Sequence, residues 1–251
     1  MPLYAFLITA ATLLALACGA DALDPMPPPA ATTATPVAVV ELFTSEGCSS
    51  CPPADALLKE LVAEDRAGVL ALSFHVDYWD DLGWRDPFSS VAFSNRQRAY
   101  ARARGDGRVY TPQMVLNGTT AFVGSRRAEA RRHLDAALSH PAEVPVTLTV
   151  RRDGRALEAT YAVTGAPEGA VLHLALVQRS ADVRVGRGEN GGRRLRHANV
   201  VRVFQTVDAG SGTATLRLPE GLEGANAAVA AYVQQGATGT VLGGAWSAPG
   251  A

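Results

Sequence analysis

The sequence predicts an α/β domain over residues 37–142, followed by an all-β, sandwich-like domain over residues 143–251. In the first part, apolar runs with the length of buried strands alternate with segments of helical periodicity. In the second part, short strand-forming runs are separated by Gly, Pro and Asp, as in a β-sandwich. After the N-terminal leader about 215 residues remain, more than one small domain needs, so two domains are expected.

The N-terminus has the features of an export signal. Residues 3–17 form an apolar stretch with the length of a signal-peptide core, too short for a membrane span. We assign residues 1–22 to a signal peptide and the proline-rich residues 23–36 to a disordered linker. The segment ending at Cys18 also resembles a lipoprotein signal; simple secretion is favoured, with lipidation of Cys18 as the alternative. Both routes predict export to the bacterial periplasm or cell envelope, where disulfides persist.

The first predicted strand, residues 37–43, leads into a turn that carries two cysteines. Cys48 and Cys51 follow Gly47, and a helical pattern begins near Pro53. At a strand-to-helix junction, such a pair can close a disulfide, and helix amides favour the thiolate of its first cysteine. Two alternatives stay open: a structural disulfide, although so short a loop is a poor staple, and a zinc site, although two of its four ligands would be missing.

A second motif lies 61 residues after Cys51: Thr111-Pro112 opens an apolar strand that ends in the hairpin turn Asn117-Gly118. Together, the two motifs resemble the thioredoxin-like superfamily, and locally they resemble glutaredoxins most closely. The resemblance implies a cis Thr111–Pro112 bond packed against the disulfide. It also places Ser125 as the cap of a closing helix over residues 126–138. The whole chain resembles an uncharacterised secreted bacterial family, domain of unknown function 1223 (DUF1223), whose name supplies no activity.

The sequence departs from glutaredoxins where those proteins hold glutathione. Ser45 stands in the place of their lysine, and Arg126-Arg127 stand where their acidic residue would be. Glutathione binding is therefore not expected.

An insertion separates the two motifs. A second predicted strand, residues 69–76, is followed by Asp77-Tyr78-Trp79 and by a helical pattern over residues 89–104. Because loops at the carboxyl ends of neighbouring parallel strands converge, Asp77, Tyr78 and Trp79 are predicted to form a substrate-binding wall near Cys48. The alternative is a local minicore, which we favour for Trp84 and Phe88 further along the same segment.

Two acidic residues flank the cysteine turn. Glu41 lies among apolar neighbours in the first strand, where burial would raise the pKa of a carboxyl. It is a candidate proton acceptor for Cys51, with a salt-bridged position as the alternative. Glu46, two residues before Cys48, is expected to face solvent.

In the second half, strands are predicted over residues 144–150, 156–163, 170–178, 200–208, 213–218 and 227–234. The Gly- and Arg-rich segment 180–199 is predicted to be a hairpin loop with arginine salt bridges rather than a phosphate site. His197 and Asn199 alternate on one strand face, and we expect them to contact the first domain.

The expected function is that of an exported thiol–disulfide oxidoreductase acting on envelope proteins. Cys48 would be the exchanging thiol, Cys51 would resolve the mixed disulfide, and Thr111-Pro112 would align a substrate strand. We expect no cofactor and no metal, and the formal net charge of −1 does not favour nucleic acid. The partners would be protein thiols or disulfides and a redox partner, with membrane contact only through a lipidated Cys18. The alternative is a non-catalytic binding or assembly module with a structural disulfide.

Overall fold

The computed structural model describes residues 37–249, which form a mixed α/β fold with one large sheet and few helices. The predicted signal peptide, the linker and Cys18 lie outside these residues. None of the described helices has the length and apolar character needed to cross a membrane. In chain order the elements are β1 Ala38–Thr44, α1 Pro52–Ala63, β2 Val69–His75, α2 Val91–Arg104, β3 Gln113–Leu116, β4 Thr120–Val123, α3 Arg127–Leu138, β5 Val146–Asp153, β6 Ala156–Val163, β7 Ala170–Arg184, β8 Arg194–Asp208, β9 Gly212–Arg217, β10 Ala227–Gln235 and β11 Val241–Ser247.

One eight-stranded sheet runs through both halves of the chain, in the order β11-β10-β7-β8-β2-β1-β3-β4. β1 and β2 are parallel, and β3 is antiparallel to β1. The two halves of the sheet join where β2 pairs in parallel with β8, with Ser73 opposite Val200. The predicted boundary near residue 143 therefore follows α3 without interrupting the sheet.

The second half differs from a separate sandwich. β5, β6 and β9 form a three-stranded sheet, while β7, β8, β10 and β11 extend the large sheet. Apolar side chains such as Leu157, Leu174 and Val229 fill the space between the two layers, so the sandwich packing is local. The second half joins the large sheet because the edge of β2 would otherwise leave backbone groups unpaired, and β8 supplies their hydrogen-bond partners.

β1 is buried on both faces, which explains its continuous apolar run. Because successive side chains of a strand point to opposite faces, Val40 and Leu42 pack against α1 and α3, whereas Val39 and Phe43 pack toward α2 and β10. The cysteine turn continues directly from this rigid central strand.

Two boundaries differ from expectation in ways that concern the site. β7 and β8 are longer than predicted and pair as far as Arg184 opposite Arg194. The turn that joins them, residues 185–193, is called the hairpin tip below. The prediction that Ser125 caps α3 is wrong: Arg126 occupies the cap position without a side-chain cap, and the Ser125 carbonyl instead accepts the Arg127 N–H.

Candidate functional site

Cys48 and Cys51 form a disulfide between the end of β1 and the start of α1, with their Cα atoms 5.4 Å apart. The Cys51 N–H donates to the Cys48 carbonyl at 3.2 Å, so the pair closes a turn of its own. α1 begins at Pro52, with Cys51 at its N-cap position. The two prolines thus fall in the first helical turn, where a missing N–H costs little. Both cysteines are 0% exposed.

Thr111 and Pro112 lie beside the cysteine turn. Their peptide bond is cis, as the resemblance implied. The Ser50 hydroxyl lies 3.5 Å from the Thr111 carbonyl oxygen and 3.3 Å from the Cys48 Sγ. The cis-proline segment and the disulfide are therefore neighbours in space.

The hairpin tip also contacts the cysteine turn, which the sequence did not predict. The buried side-chain amide of Asn190 donates to the carbonyls of Glu46 and Cys48 at 2.8 and 2.9 Å. The Glu189 carboxylate accepts the Ser49 N–H at 3.0 Å. A segment about 140 positions away in the sequence thus fastens the turn that holds the disulfide.

Trp84 anchors the hairpin tip to the insertion. A Cβ at Gly186 would lie 3.0 Å from the Trp84 ring, so glycine allows this close approach without displacing the ring. The Trp84 Nε1–H donates to Glu46 Oε2 at 2.7 Å. Trp84 therefore packs between the cysteine turn and the hairpin tip.

Of the three predicted wall residues, Trp79 lies closest to the motifs. It packs on Gly47, where an added Cβ would lie 3.1 Å from the Trp79 Cβ, and its Nε1–H donates to Thr111 Oγ1 at 2.8 Å. Tyr78 and Asp77 bind α2 instead: the Tyr78 hydroxyl donates to Gln97 at 3.1 Å, and Asp77 accepts the Ser94 hydroxyl. Burial raises the pKa of Tyr78 to about 12, so its hydroxyl stays protonated.

Glu41 is salt-bridged, which was the alternative to its predicted proton-acceptor role. Arg96 of α2 binds both carboxylate oxygens of Glu41, at 2.6 and 2.7 Å. Burial opposes ionisation, but Arg96 outweighs it and lowers the pKa of Glu41. Glu41 shares the sheet face of Phe43, and α1 packs on the opposite face. These contacts tie Glu41 to α2 rather than to Cys51.

Another buried carboxyl lies beside the cysteine turn. The Asp55 N–H donates to the Cys51 carbonyl at 3.1 Å, and the Asp55 side chain accepts the Thr44 hydroxyl at 2.9 Å. Burial raises the pKa of Asp55, and the two nearby histidines only partly offset it. An acid in the first turn of a helix is usually exposed and stabilised by the helix dipole, so the sequence pattern did not indicate a buried carboxyl here.

Asp55 belongs to a buried acid–histidine cluster, made of Asp55, Glu46, His75, Asp86 and His197. His197 Nε2 lies 3.3 Å from Glu46 Oε1 and its Nδ1 lies 4.0 Å from Asp55, while His75 Nδ1 lies 2.6 Å from Asp86. Burial opposes a charged His75, but contact with Asp86 outweighs it and raises the pKa of His75. The expectation that Glu46 faces solvent is wrong, because His197 and Trp84 enclose it.

His197 and Asn199 both contact the first half of the chain, as predicted: His197 lies against Glu46, and the Asn199 amide donates to the Ala71 carbonyl at 3.0 Å. Within residues 37–249, no group of three or more His, Cys, Asp or Glu side chains is arranged to hold a metal ion.

Comparisons with known proteins place the chain in a family without assigning it an activity. The crystal structure of an Agrobacterium tumefaciens protein is similar at a TM-score of 0.65 with 30% identity, covering 83% of this chain and 92% of that one. HBP35 of Porphyromonas gingivalis is similar at a TM-score of 0.60 with 15% identity, covering 86% of this chain and 76% of that one, which shows a similar fold alone. No curated protein gives a significant match. The family model described as a protein of unknown function, DUF1223, matches residues 39–234. The chain therefore belongs to the DUF1223 family.

Proposed function

We propose that this protein is an exported thiol–disulfide oxidoreductase that acts on envelope proteins through Cys48 and Cys51. The observation that carries the proposal is the position of the disulfide, at the end of a central strand and beside the cis Thr111–Pro112 bond. The half-buried Thr111 brings backbone groups next to the disulfide, where they can align an extended substrate segment.

A thioredoxin-like arrangement of residues 37–142 is part of this proposal. The strand order β2-β1-β3-β4 and the antiparallel β3–β4 hairpin support it. The packing of α1 and α3 on one sheet face and α2 on the other supports it as well.

In the proposed reaction, a substrate thiolate attacks Cys48 Sγ, which forms a mixed disulfide and breaks the Cys48–Cys51 bond. Cys51 leaves as a thiolate and takes up a proton to become a thiol. A second substrate thiolate then attacks the substrate sulfur of the mixed disulfide and releases Cys48. Two electrons have passed from a substrate dithiol to the protein, and a dithiol–disulfide redox partner removes them again. The reverse sequence reduces a substrate disulfide.

Exchange requires the cysteine turn to open, because both cysteines are fully buried. The two Asn190 hydrogen bonds hold the turn closed. Local opening of this kind is common where few bonds secure a loop.

Replacing Asn190 with alanine should speed the reduction of the disulfide by dithiothreitol about thirtyfold, because two hydrogen bonds of roughly 1 kcal/mol each are lost. The rate is measured by following thiol release in a Cys18→Ser background. Asn226→Ala is the matched control, since among residues 37–249 that amide bonds only Ser180, on β7. An unchanged rate in Asn190→Ala would show that the hairpin tip does not gate the disulfide.

The second candidate function is a non-catalytic binding or assembly module, and the complete burial of both cysteines favours it. In this case the disulfide is structural and does not exchange, and the protein contacts its partners through other surfaces.

The reduction potential of the Cys48–Cys51 pair separates the two candidates. It is measured by equilibrating the purified protein with glutathione buffers and counting thiols. The oxidoreductase is expected to lie between about −120 and −270 mV, the range of catalytic pairs. A value below about −300 mV is typical of inert structural disulfides, and it would replace the first proposal by the second.

A further inference from the structure

A basic cleft of about 310 Å³ lies between α1 and the start of β8, directly beside the disulfide. Pro52, the residue after Cys51, lines it together with Lys59, Arg193, Arg194 and Arg196. A group bound in this cleft therefore lies one residue along the chain from Cys51. From the sequence we expected these arginines to form salt bridges within a loop. The cleft could not be predicted, because Lys59 is more than 130 positions away and the cleft forms only when α1 packs on β8.

The cations of the cleft outnumber the acids that neutralise them. Arg194 and Arg196 share one exposed carboxylate, that of Asp182, at 2.5 and 3.5 Å. Lys59 is exposed and makes no ion pair within the described part of the chain. Arg193 donates to the Asn190 side-chain oxygen at 2.7 Å, an uncharged partner.

The positive surface continues beyond the cleft. A neighbouring depression of about 270 Å³ shares Arg194 and adds Arg184, and the carboxylate of Asp182 lines it as well. The one carboxyl that lines the cleft itself, Asp55, is buried beneath it. A strongly basic surface is unusual in a chain whose formal net charge is −1, so it is a local feature and not a reflection of composition.

We infer that this cleft binds an acidic segment of the protein substrate that flanks the reacting cysteine. The inference rests on the proposed function, and it names the substrate class of the same site. Guanidinium groups bind carboxylates through paired, charge-assisted hydrogen bonds, and a basic rim also steers an acidic partner toward the disulfide. An extended segment advances about 3.3 Å per residue, so acidic residues a few positions from the cysteine reach the cleft.

The test uses three peptides that differ only in the residues flanking one central cysteine: aspartate, asparagine or lysine. Versions with serine in place of cysteine measure binding by fluorescence anisotropy, without any redox step. The cysteine versions measure the rate of mixed-disulfide formation by mass spectrometry. Dithiothreitol, which is uncharged, reports the intrinsic reactivity of the disulfide.

The test variant is the double substitution Lys59→Glu and Arg196→Glu, in the full chain with Cys18→Ser. The control is Arg132→Glu with Arg217→Glu, which changes the charge by the same amount at two exposed positions outside the cleft. Unfolding curves of both double variants verify that they are folded. Neither change touches the cysteines or the hairpin-tip contacts of Asn190.

The native protein should bind and react with the aspartate peptide about three- to tenfold better than with the asparagine peptide, the scale of two exposed ion pairs. The preference should weaken with added salt. The cleft variant should lose the preference for the aspartate peptide and favour the lysine peptide. The control variant should keep the preference for the aspartate peptide. Equal binding of all three peptides by the native protein would overturn the inference.

The outcomes also separate this inference from the proposed function. Disulfide exchange without a charge preference would support the oxidoreductase function and would rule out an acidic substrate segment. If the aspartate peptide with serine in place of cysteine binds through the cleft, but the cysteine version shows no exchange, the oxidoreductase function is ruled out and an acidic ligand is still supported.

Discussion

Replacing Arg96 with methionine is expected to lower the free energy of unfolding by about 3–5 kcal/mol, the cost of leaving a buried charge without its partner. Arg96 lies in the middle of a buried cluster. It binds both oxygens of Glu41 and donates to the hydroxyls of Tyr100 and Tyr232 at 2.6 and 3.0 Å. Its guanidinium also lies over the Phe204 ring, 4.7 Å from the centroid.

The loss of stability in Arg96→Met should be smaller at low pH than at neutral pH. Arg96 holds the pKa of Glu41 below its ordinary value of 4.5, despite burial. The stabilisation by the ion pair is therefore present above that pH and is lost as the pH falls through the lowered pKa. In the variant, Glu41 can become neutral only by binding a proton. The difference between native protein and variant should thus be smaller at pH 4 than at pH 7.

Chemical denaturation at the two pH values measures this effect. Arg98→Met is the matched control. Arg98 lies on the same helix, and within the part of the chain that the structure describes its side chain bonds only Asn95, so a change within about 0.5 kcal/mol is expected. Adding Glu41→Gln to Arg96→Met should recover part of the stability. A loss below about 1 kcal/mol in Arg96→Met would mean that water reaches Glu41.

Replacing Cys48 with serine should lower the rate of disulfide exchange with a protein substrate on the order of a thousandfold or more, because the attacked sulfur is removed. Replacing Cys51 with serine should have a different effect. Cys48 can then still attack a substrate disulfide and form a mixed disulfide, but the Cys51 thiol that resolves it in the reducing direction is missing. The substrate should accumulate as a covalent complex.

Non-reducing gels of the two variants, each with Cys18→Ser, test this assignment. Complexes that accumulate with Cys51→Ser and not with Cys48→Ser identify Cys48 as the exchanging residue. Complexes that accumulate only with Cys48→Ser would instead identify Cys51 as the exchanging residue and Cys48 as the resolving one. Equal activity of both variants and the native protein would place the function outside the disulfide, as in the binding module. Unfolding curves serve as the control for loss of the bond itself.

Local patterns predicted the elements around the site well. The apolar run of β1, the cysteine turn before α1 and the Asn117-Gly118 hairpin each depend on residues within about one element of each other. β11 was not predicted, since Gly243 and Gly244 interrupt its strand pattern. The continuous sheet was not predicted either, because the pairing of β2 with β8 joins residues more than 120 positions apart.

The sequence by itself therefore determined the two motifs of the candidate site: a cysteine pair at a strand-to-helix junction and a proline that opens the neighbouring strand. Periodicity and turn chemistry are local, so they can be read along the chain. Only the tertiary structure decided which polar groups surround them. Arg96 reaches Glu41 across 55 positions, Asn190 reaches Cys48 across 142, and Tyr232 reaches Glu41 across 191. Contacts of this kind depend on how sheets and helices pack, and no periodicity within one segment records them.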